Sequence, residues 1–455
     1  MKRWLSDRLF ILYSVLLLVY LIHVFLDLSY LEWTVGILAV PILLLSFYYA
    51  TRLFQVLGCL FLTTGNFMLI SSDIPVHNFP LYLISNMNLL IFLSMLPWIN
   101  SAAYIGRYEK SIKKLMKVNV RNLGDLYPKS VLTSGTLMTF LNLSAVNLSQ
   151  EMLINSLKSI KKRIRDRLIA RSTIRAYALT MIWSPMEIMV GIVVDATGVS
   201  YLSYLPWLLL VSFTVLLIDF QLQKRSFRSI PYREQGKAHR YQATKEIYLK
   251  MFKLLMILGM FLAVVMLASQ WLRLSFILAV TLVIFPFSFV WAFFMKKTSL
   301  FLRMGYKSWR QKTNQLQNFV VLFISLSLFS NSLNQTAALS WIQYPFTVFK
   351  EYPVVILVLI LFTYISLGLL GVHPIATVGV LLEILRPFFE IFNPIGIGVM
   401  LIVGALATAS SGTYGVVVTM TSINTRQNPY AITVTNLPFT LIFGSIGIAV
   451  SYILL

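Results

Sequence analysis

The sequence predicts an all-α, polytopic membrane protein with about 10–12 membrane segments. Three observations carry that expectation. The composition is 58% hydrophobic and only 12% charged, with a mean hydropathy of +0.78. Apolar runs of about 20 residues, enough to cross the hydrocarbon core, recur from Leu9 to the C-terminus. Between the runs lie compact blocks of positive charge. A soluble chain of 455 residues has no interior large enough to hide so much apolar surface.

The formal charge of +22 invites a nucleic-acid reading, but its placement argues against one. The blocks precede the first span (Lys2, Arg3, Arg8) and run from Arg107 to Lys129, Lys158 to Arg175, Lys224 to Lys253 and Lys296 to Lys312. With Arg52 they hold 34 of the 38 Lys and Arg residues. Cations gathered between apolar spans mark cytoplasmic loops. The charge is therefore a topology signal aided by anionic lipid headgroups, and no nucleic-acid partner is expected. Cys59 is the only cysteine, which excludes an internal disulfide and any cysteine-rich metal site. Residues 9–26 resemble a signal peptide, but Val24-Phe25-Leu26-Asp27 is too bulky for a cleavage site. They are expected to be a retained first helix, its N-terminus cytoplasmic, in a bacterial cytoplasmic membrane.

Spans are predicted at 9–26, 33–50, 53–71, 80–99, 176–195, 204–220, 254–271 and 274–295, and the second half runs on as apolar segments at 319–341, 353–371, about 372–392, 394–423 and 430–455, not all of them full crossings. The expected domains are N-terminal membrane helices (1–79), a first transport repeat (80–220), a basic cytoplasmic linker (221–251) and a second membrane half (252–455). Residues 151–175, with Leu153, Leu157, Ile160, Ile164 and Leu168 at helical spacing among cations, predict a basic helix on the membrane surface.

The segment 130–150 is rich in Ser, Thr and Asn, with basic blocks on both sides. A simple span would put one block outside, whereas a segment that enters and returns keeps both inside. A re-entrant hairpin is one reading; a surface helix or an ordinary span is the other. Further polar stretches interrupt apolar sequence at 325–336 and 407–415. A short match relates 183–194 (Trp-Ser-Pro-Met-Glu) to 372–382 (Val-His-Pro-Ile-Ala). Opposite helix directions there would make an inverted repeat; two unrelated proline kinks are the alternative.

Ala-Leu-Thr-Met-Ile-Trp-Ser-Pro at 178–185, Gly371-Val372-His373-Pro374 and the polar segments resemble the ion-transporter superfamily of secondary permeases, the divalent-anion, citrate and arsenite type. The resemblance covers roughly 80–220 and 300–455. It implies two inverted repeats and an anion held at hairpin tips, often with sodium. The Ser-Asn-Thr tip signature of several members is absent here; the nearest analogues are Ser134–Thr136 with Asn142, and Ser410–Thr413.

Ionisable residues at membrane depth default to functional candidates. Glu187, two residues after Pro185, can take a proton or bind a cation, or serve as a hydrogen-bonded structural group. His373 can titrate near neutral pH or simply end a helix. Asp195 and Asp219 are expected at the interface. The candidate substrate- and ion-binding set is Asn142, Asn147, Ser184, Glu187, His373, Ser410, Ser411 and Thr413, with 404–415 preferred over 325–336 as the partner of 130–150. Gly404, Gly412 and Gly415 allow close backbone approach or a helix break. A cavity lined by Asn142, Ser184, Glu187 and Ser410 is the corollary.

No phosphate-binding Gly-rich loop and no His-Glu-x-x-His motif occur, so neither an ATPase motor nor an enzyme is expected. The function expected is a secondary transporter, a permease or symporter, for a small molecule or ion, coupled to Na+ or H+ and embedded in the lipid bilayer. A homodimer is left open. The alternative is a non-transport component for envelope assembly or lipid handling.

Overall fold

A computed structural model of the chain describes residues 7–71, 76–106, 120–232 and 245–455. Its helices are α1 (Leu9–Leu26), α2 (Ser29–Tyr49), α3 (Arg52–Ile70), α4 (Met87–Ile105), α5 (Leu123–Leu141), α6 (Leu143–Ser156), α7 (Lys162–Met181), α8 (Ile188–Thr197), α9 (Tyr201–Phe227) and α10 (Lys245–Leu272). They continue as α11 (Phe276–Phe294), α12 (Thr298–Thr313), α13 (Gln317–Leu333), α14 (Ala338–Val348), α15 (Pro353–Leu369), α16 (Pro374–Leu385), α17 (Phe388–Ile391), α18 (Pro394–Ala409), α19 (Val416–Thr425) and α20 (Pro429–Leu454). Among the described residues no strand forms beyond one isolated bridge, Asn122 to Pro231. Eight described helices are long and apolar enough to cross a membrane, and α12 with α13, bent by 55°, adds a ninth if counted as one span. Several shorter apolar helices follow, so the all-α polytopic class holds. Much of the basic linker expected at 221–251 and most of the block from Arg107 lie outside the described residues.

The chain divides into two compact units. The first takes residues 1–101, 277–351 and 379–387. There α3 packs along α13, with Gly58 against Val321 and Gly65 against Phe329. Small residues at such contacts let helix backbones approach where lipid offers no hydrophobic drive. The Asn331 amide bonds the Tyr82 carbonyl at 3.1 Å, so part of the polar 325–336 stretch serves packing within this unit.

The second unit takes residues 102–276, 352–378 and 388–455. Its first part is a hairpin. The Tyr127 hydroxyl reaches the Arg171 carbonyl at 3.4 Å and Gly135 faces Thr180, so α5 and α7 run parallel. On α6, Gln150 bonds Thr173 at 3.0 Å. The chain has therefore turned back at Asn142, whose φ of 45° and ψ of −130° are a positive-φ conformation that most side chains avoid. The re-entrant reading of 130–150 matches this geometry.

The same unit contains an internal repeat. Helices α7 and α8 are separated by a six-residue break, 182–187, and α18 and α19 by another, 410–415. Ile188 and Val416 open the second halves, Tyr201 and Pro429 the next helices, and each pair is 228 positions apart. The correspondence extends to single bonds. Gly198 and Arg426, both at positive φ, end α8 and α19. Ser200 and Asn428 cap α9 and α20. Ser212 donates to the Leu179 carbonyl at 2.7 Å, and at the same offset Thr440 donates to the Ala407 carbonyl at 3.2 Å.

The two copies run in opposite directions. Gln427 and Asn436 pair with Asp166 and Arg175, which makes α20 parallel to α7. Gly396 meets Ser451 and Thr440 meets Ala407, which makes α20 antiparallel to α18. The repeat is thus inverted, as expected, but its members differ from those inferred from sequence. The break at 182–187 corresponds to 410–415, whereas 372–382 covers the end of the break at 370–373 and most of α16.

Three further expectations are corrected. The predicted surface helix 151–175 is divided between α6 and α7, and α7 buries Leu168, Ile169 and the residues from Ser172 onward, because its later cations find protein partners. The spans 176–195 and 394–423 are each broken, at Pro185 in the first and between Gly412 and Gly415 in the second.

If the hairpin enters and leaves on one side, Asp125→Cys and Lys158→Cys, each made in a Cys59→Ala background, label with an impermeant thiol reagent only from the cytoplasmic side. Labelling of just one of them from outside would mean that the segment crosses.

Candidate functional site

Each helix break gathers polar groups where the backbone leaves the helical ladder. At 182–187, Pro185 has no N–H to donate, and the chain makes two tight turns: Ser184 N–H to the Met181 carbonyl and Glu187 N–H to the Ser184 carbonyl, both at 3.1 Å. The Ser184 hydroxyl accepts from the Met186 N–H at 3.3 Å. The Tyr201 hydroxyl donates to the freed Trp183 carbonyl. Glu187 stands at the entry to α8, 4% exposed, and its carboxylate accepts from the Tyr177 hydroxyl at 3.4 Å.

At 410–415 the turns repeat. Gly412 N–H donates to the Thr408 carbonyl at 2.7 Å and Gly415 N–H to the Gly412 carbonyl at 2.9 Å. Ser410 shares a 2.9 Å hydrogen bond with Thr440, and Thr433 donates to Thr413 at 3.2 Å. Ser411 is buried beside them. Hydroxyls supply the polar groups here, and no carboxylate lies in this break.

The hairpin contributes a third polar group. The Asn142 Oδ1 atom at its tip is buried and unpartnered, as are the hydroxyls of Thr133, Ser134 and Ser149. Buried hydroxyls left without partners are costly, so they are candidates to meet a polar solute or water. Gln150, fully buried, bonds Thr173 on α7 and Thr421 on α19 at 3.0 and 2.7 Å. Asn424 donates to Asn147 at 2.7 Å and to Gln150 at 2.8 Å. The return arm of the hairpin is therefore fastened to the second half of the other broken helix.

Ser184 and Glu187 thus form one polar set with Tyr177, and Ser410 and Thr413 another with α20. Asn147, on the exposed side of α6, belongs to the clasp with Asn424. His373 accepts from the Ile375 N–H at 3.2 Å, at the start of α16. Two cavities among the described residues of this unit are lined by other residues than Asn142, Ser184, Glu187 and Ser410.

Sequence reasoning missed the strongest polar group. Arg175 and Asp219, each 3% exposed, form an ion pair at 2.5 Å. Tyr127 donates to the other Asp219 oxygen at 2.6 Å. The Arg175 Nε donates to Asn436 at 3.0 Å and its Nη2 to the Thr435 carbonyl at 3.3 Å. Asp219, expected at the interface, is instead neutralised inside the protein. Neither partner shows this role in sequence, because 44 residues separate them and Arg175 closes a basic block.

No protein-family model matches the sequence, and no curated protein matches it. In fold the chain is similar to the YdaH transporter of Alcanivorax borkumensis, whose crystal structure was described as having an unusual topology. The identity is 13% and the TM-score 0.59, with 88% of this chain and 97% of that one covered. At that identity the likeness is one of fold.

At the repeat offset, Arg175 and Asp219 correspond to Val403 and Gly447, which pack directly together. Asp219→Asn should cost about 3–5 kcal/mol by stranding a buried guanidinium. The double variant Arg175→Val/Asp219→Gly, which copies the apolar pair, should melt above the single variant in a detergent thermal-denaturation series.

Proposed function

We propose that this chain is a secondary active transporter that moves a small solute, an organic or inorganic anion, by alternating access driven by a proton or sodium gradient. One observation carries the reading: two broken helices from an inverted repeat run antiparallel in one unit, each break lined by polar side chains. A break turns the N-terminus of a half-helix toward the interior, where its free N–H groups and partial positive charge favour an anion. Helix α19 begins this way, whereas at α8 the Glu187 carboxylate itself accepts from the first N–H groups, those of Ile188 and Met189. Such a site needs few fixed cations, in keeping with breaks that contain none. The residues assigned to the path are Ser184 and Glu187 in the first break, Ser410, Ser411 and Thr413 in the second, and Asn142 at the hairpin tip. Asn147 and His373 stand at its supporting contacts.

Glu187 is the one carboxylate at a break and is the coupling group, taking the proton or sodium ion. The fold likeness to YdaH, a transporter, supports transport, and the resemblance to the ion-transporter superfamily supports an anion. The reading places the protein in a bacterial cytoplasmic membrane as a symporter, with its basic loops inside.

The test is uptake into proteoliposomes of a panel of radiolabelled anions (citrate, succinate and sulfate) under imposed proton or sodium gradients. At least one is expected to accumulate. Glu187→Gln keeps the shape and removes the charge, so it should abolish acceleration by the gradient while retaining solute exchange at equilibrium. Accumulation unchanged in the variant would remove Glu187 from coupling, and failure of every anion to accumulate would contradict the reading.

A further inference from the structure

Arg171 and Arg175, one turn apart on α7, face a cavity of about 90 Å³ between α7, α9 and α20 that the proposed path does not use. Arg175 is fully engaged by Asp219, Asn436 and the Thr435 carbonyl, and it stacks over Phe439 at 4.9 Å. Arg171 is not. Its Nη1 donates to Gln223 at 2.9 Å, while its Nε is buried without a partner. Two guanidinium groups against the single Asp219 carboxylate leave one positive charge uncompensated on this wall.

The scaffold does not require that charge. At the repeat offset, Val399, Val403, Gly447 and Ser451 stand where Arg171, Arg175, Asp219 and Gln223 stand, and the second copy folds alike. The rim is also informative. Leu222 and Ile218 on α9 are 45% and 36% exposed, and α9 closes with Lys224 and Arg225. In a bilayer such a rim meets acyl chains, while the basic end lies at the level of the headgroups.

We propose that this cavity binds a singly charged oxyanion, the phosphate diester of an anionic lipid or the free anion of the same chemistry, with Arg171 as its ligand. A guanidinium presents parallel N–H donors that match two oxygens of one such group. The bound charge neutralises the wall and offers acceptors to the Arg171 guanidinium where it lines the cavity. The site is independent of the transport reading, and each stands if the other fails.

The test uses the full chain purified in detergent, titrated with phosphatidylglycerol or phosphatidylcholine and read by native mass spectrometry, with inorganic phosphate as soluble competitor. Phosphatidylglycerol should bind more tightly than phosphatidylcholine, and Arg171→Gln should weaken it by about tenfold or more. Arg171→Lys, which keeps the charge and loses the fork, should fall between. Both variants leave the Arg175–Asp219 pair in place, and an unchanged melting temperature checks folding. Displacement by millimolar phosphate supports the free anion as the occupant; resistance to it supports the headgroup. Equal binding of the two lipids, or phosphatidylglycerol binding unaltered in Arg171→Gln, would overturn the proposal.

Discussion

A helix that stops inside an apolar environment leaves carbonyl and N–H groups that lipid cannot satisfy, each costing several kcal/mol. The second unit is organised around two such stops, at 182–187 and 410–415. Each is closed by paired tight turns and backed by the helix that follows. Ser212 on α9 and Thr440 on α20 take up carbonyls of the preceding half-helix at the same relative position. Tyr201 takes another at Trp183. The breaks thus exist because neighbouring helices supply donors, and the antiparallel arrangement of α7–α8 with α18–α19 follows from which neighbour each break leans on.

The copies share a backbone plan and not a chemistry. Where the first joins α7 to α9 through Arg175 and Asp219, the second joins α18 to α20 through direct contact of Gly447 with Val403. A buried ion pair holds its helices through charge that must stay compensated. A glycine contact holds them through close approach and dispersion. The first copy also carries the carboxylate at its break and the cations along α7, while the second carries hydroxyls.

The membrane class was legible because apolar runs and basic blocks report directly on bilayer thickness and sidedness. The hairpin was legible for the same reason: charge on both sides of 130–150 allows few paths. The breaks were only partly legible: Pro185 and the glycines of 404–415 marked the places, but 176–195 and 394–423 were still read as continuous. The turns at 410–415 are stabilised by Thr433 and Thr440, which sequence does not place nearby. The repeat was sensed but misaligned, since Pro185 and Glu187 correspond to Thr413 and Gly415. Only the backbone is conserved between the copies there, so the proline at 374 offered a false partner. The basic pattern of 151–175 was legible as cationic and misleading as to depth, because Arg175 is drawn inward by an aspartate on another helix.

The central claim is that the broken helices are inverted copies. Arg163 and Asn393 lie exposed at the start of α7 and just before α18, equivalent ends of the two copies. With cysteine placed singly at each in a chain lacking Cys59, an impermeant thiol reagent applied to cells and to inverted vesicles reads the side of the membrane directly. The account predicts labelling of position 163 only in inverted vesicles and of position 393 only in intact cells. Labelling of both from the same side would contradict it.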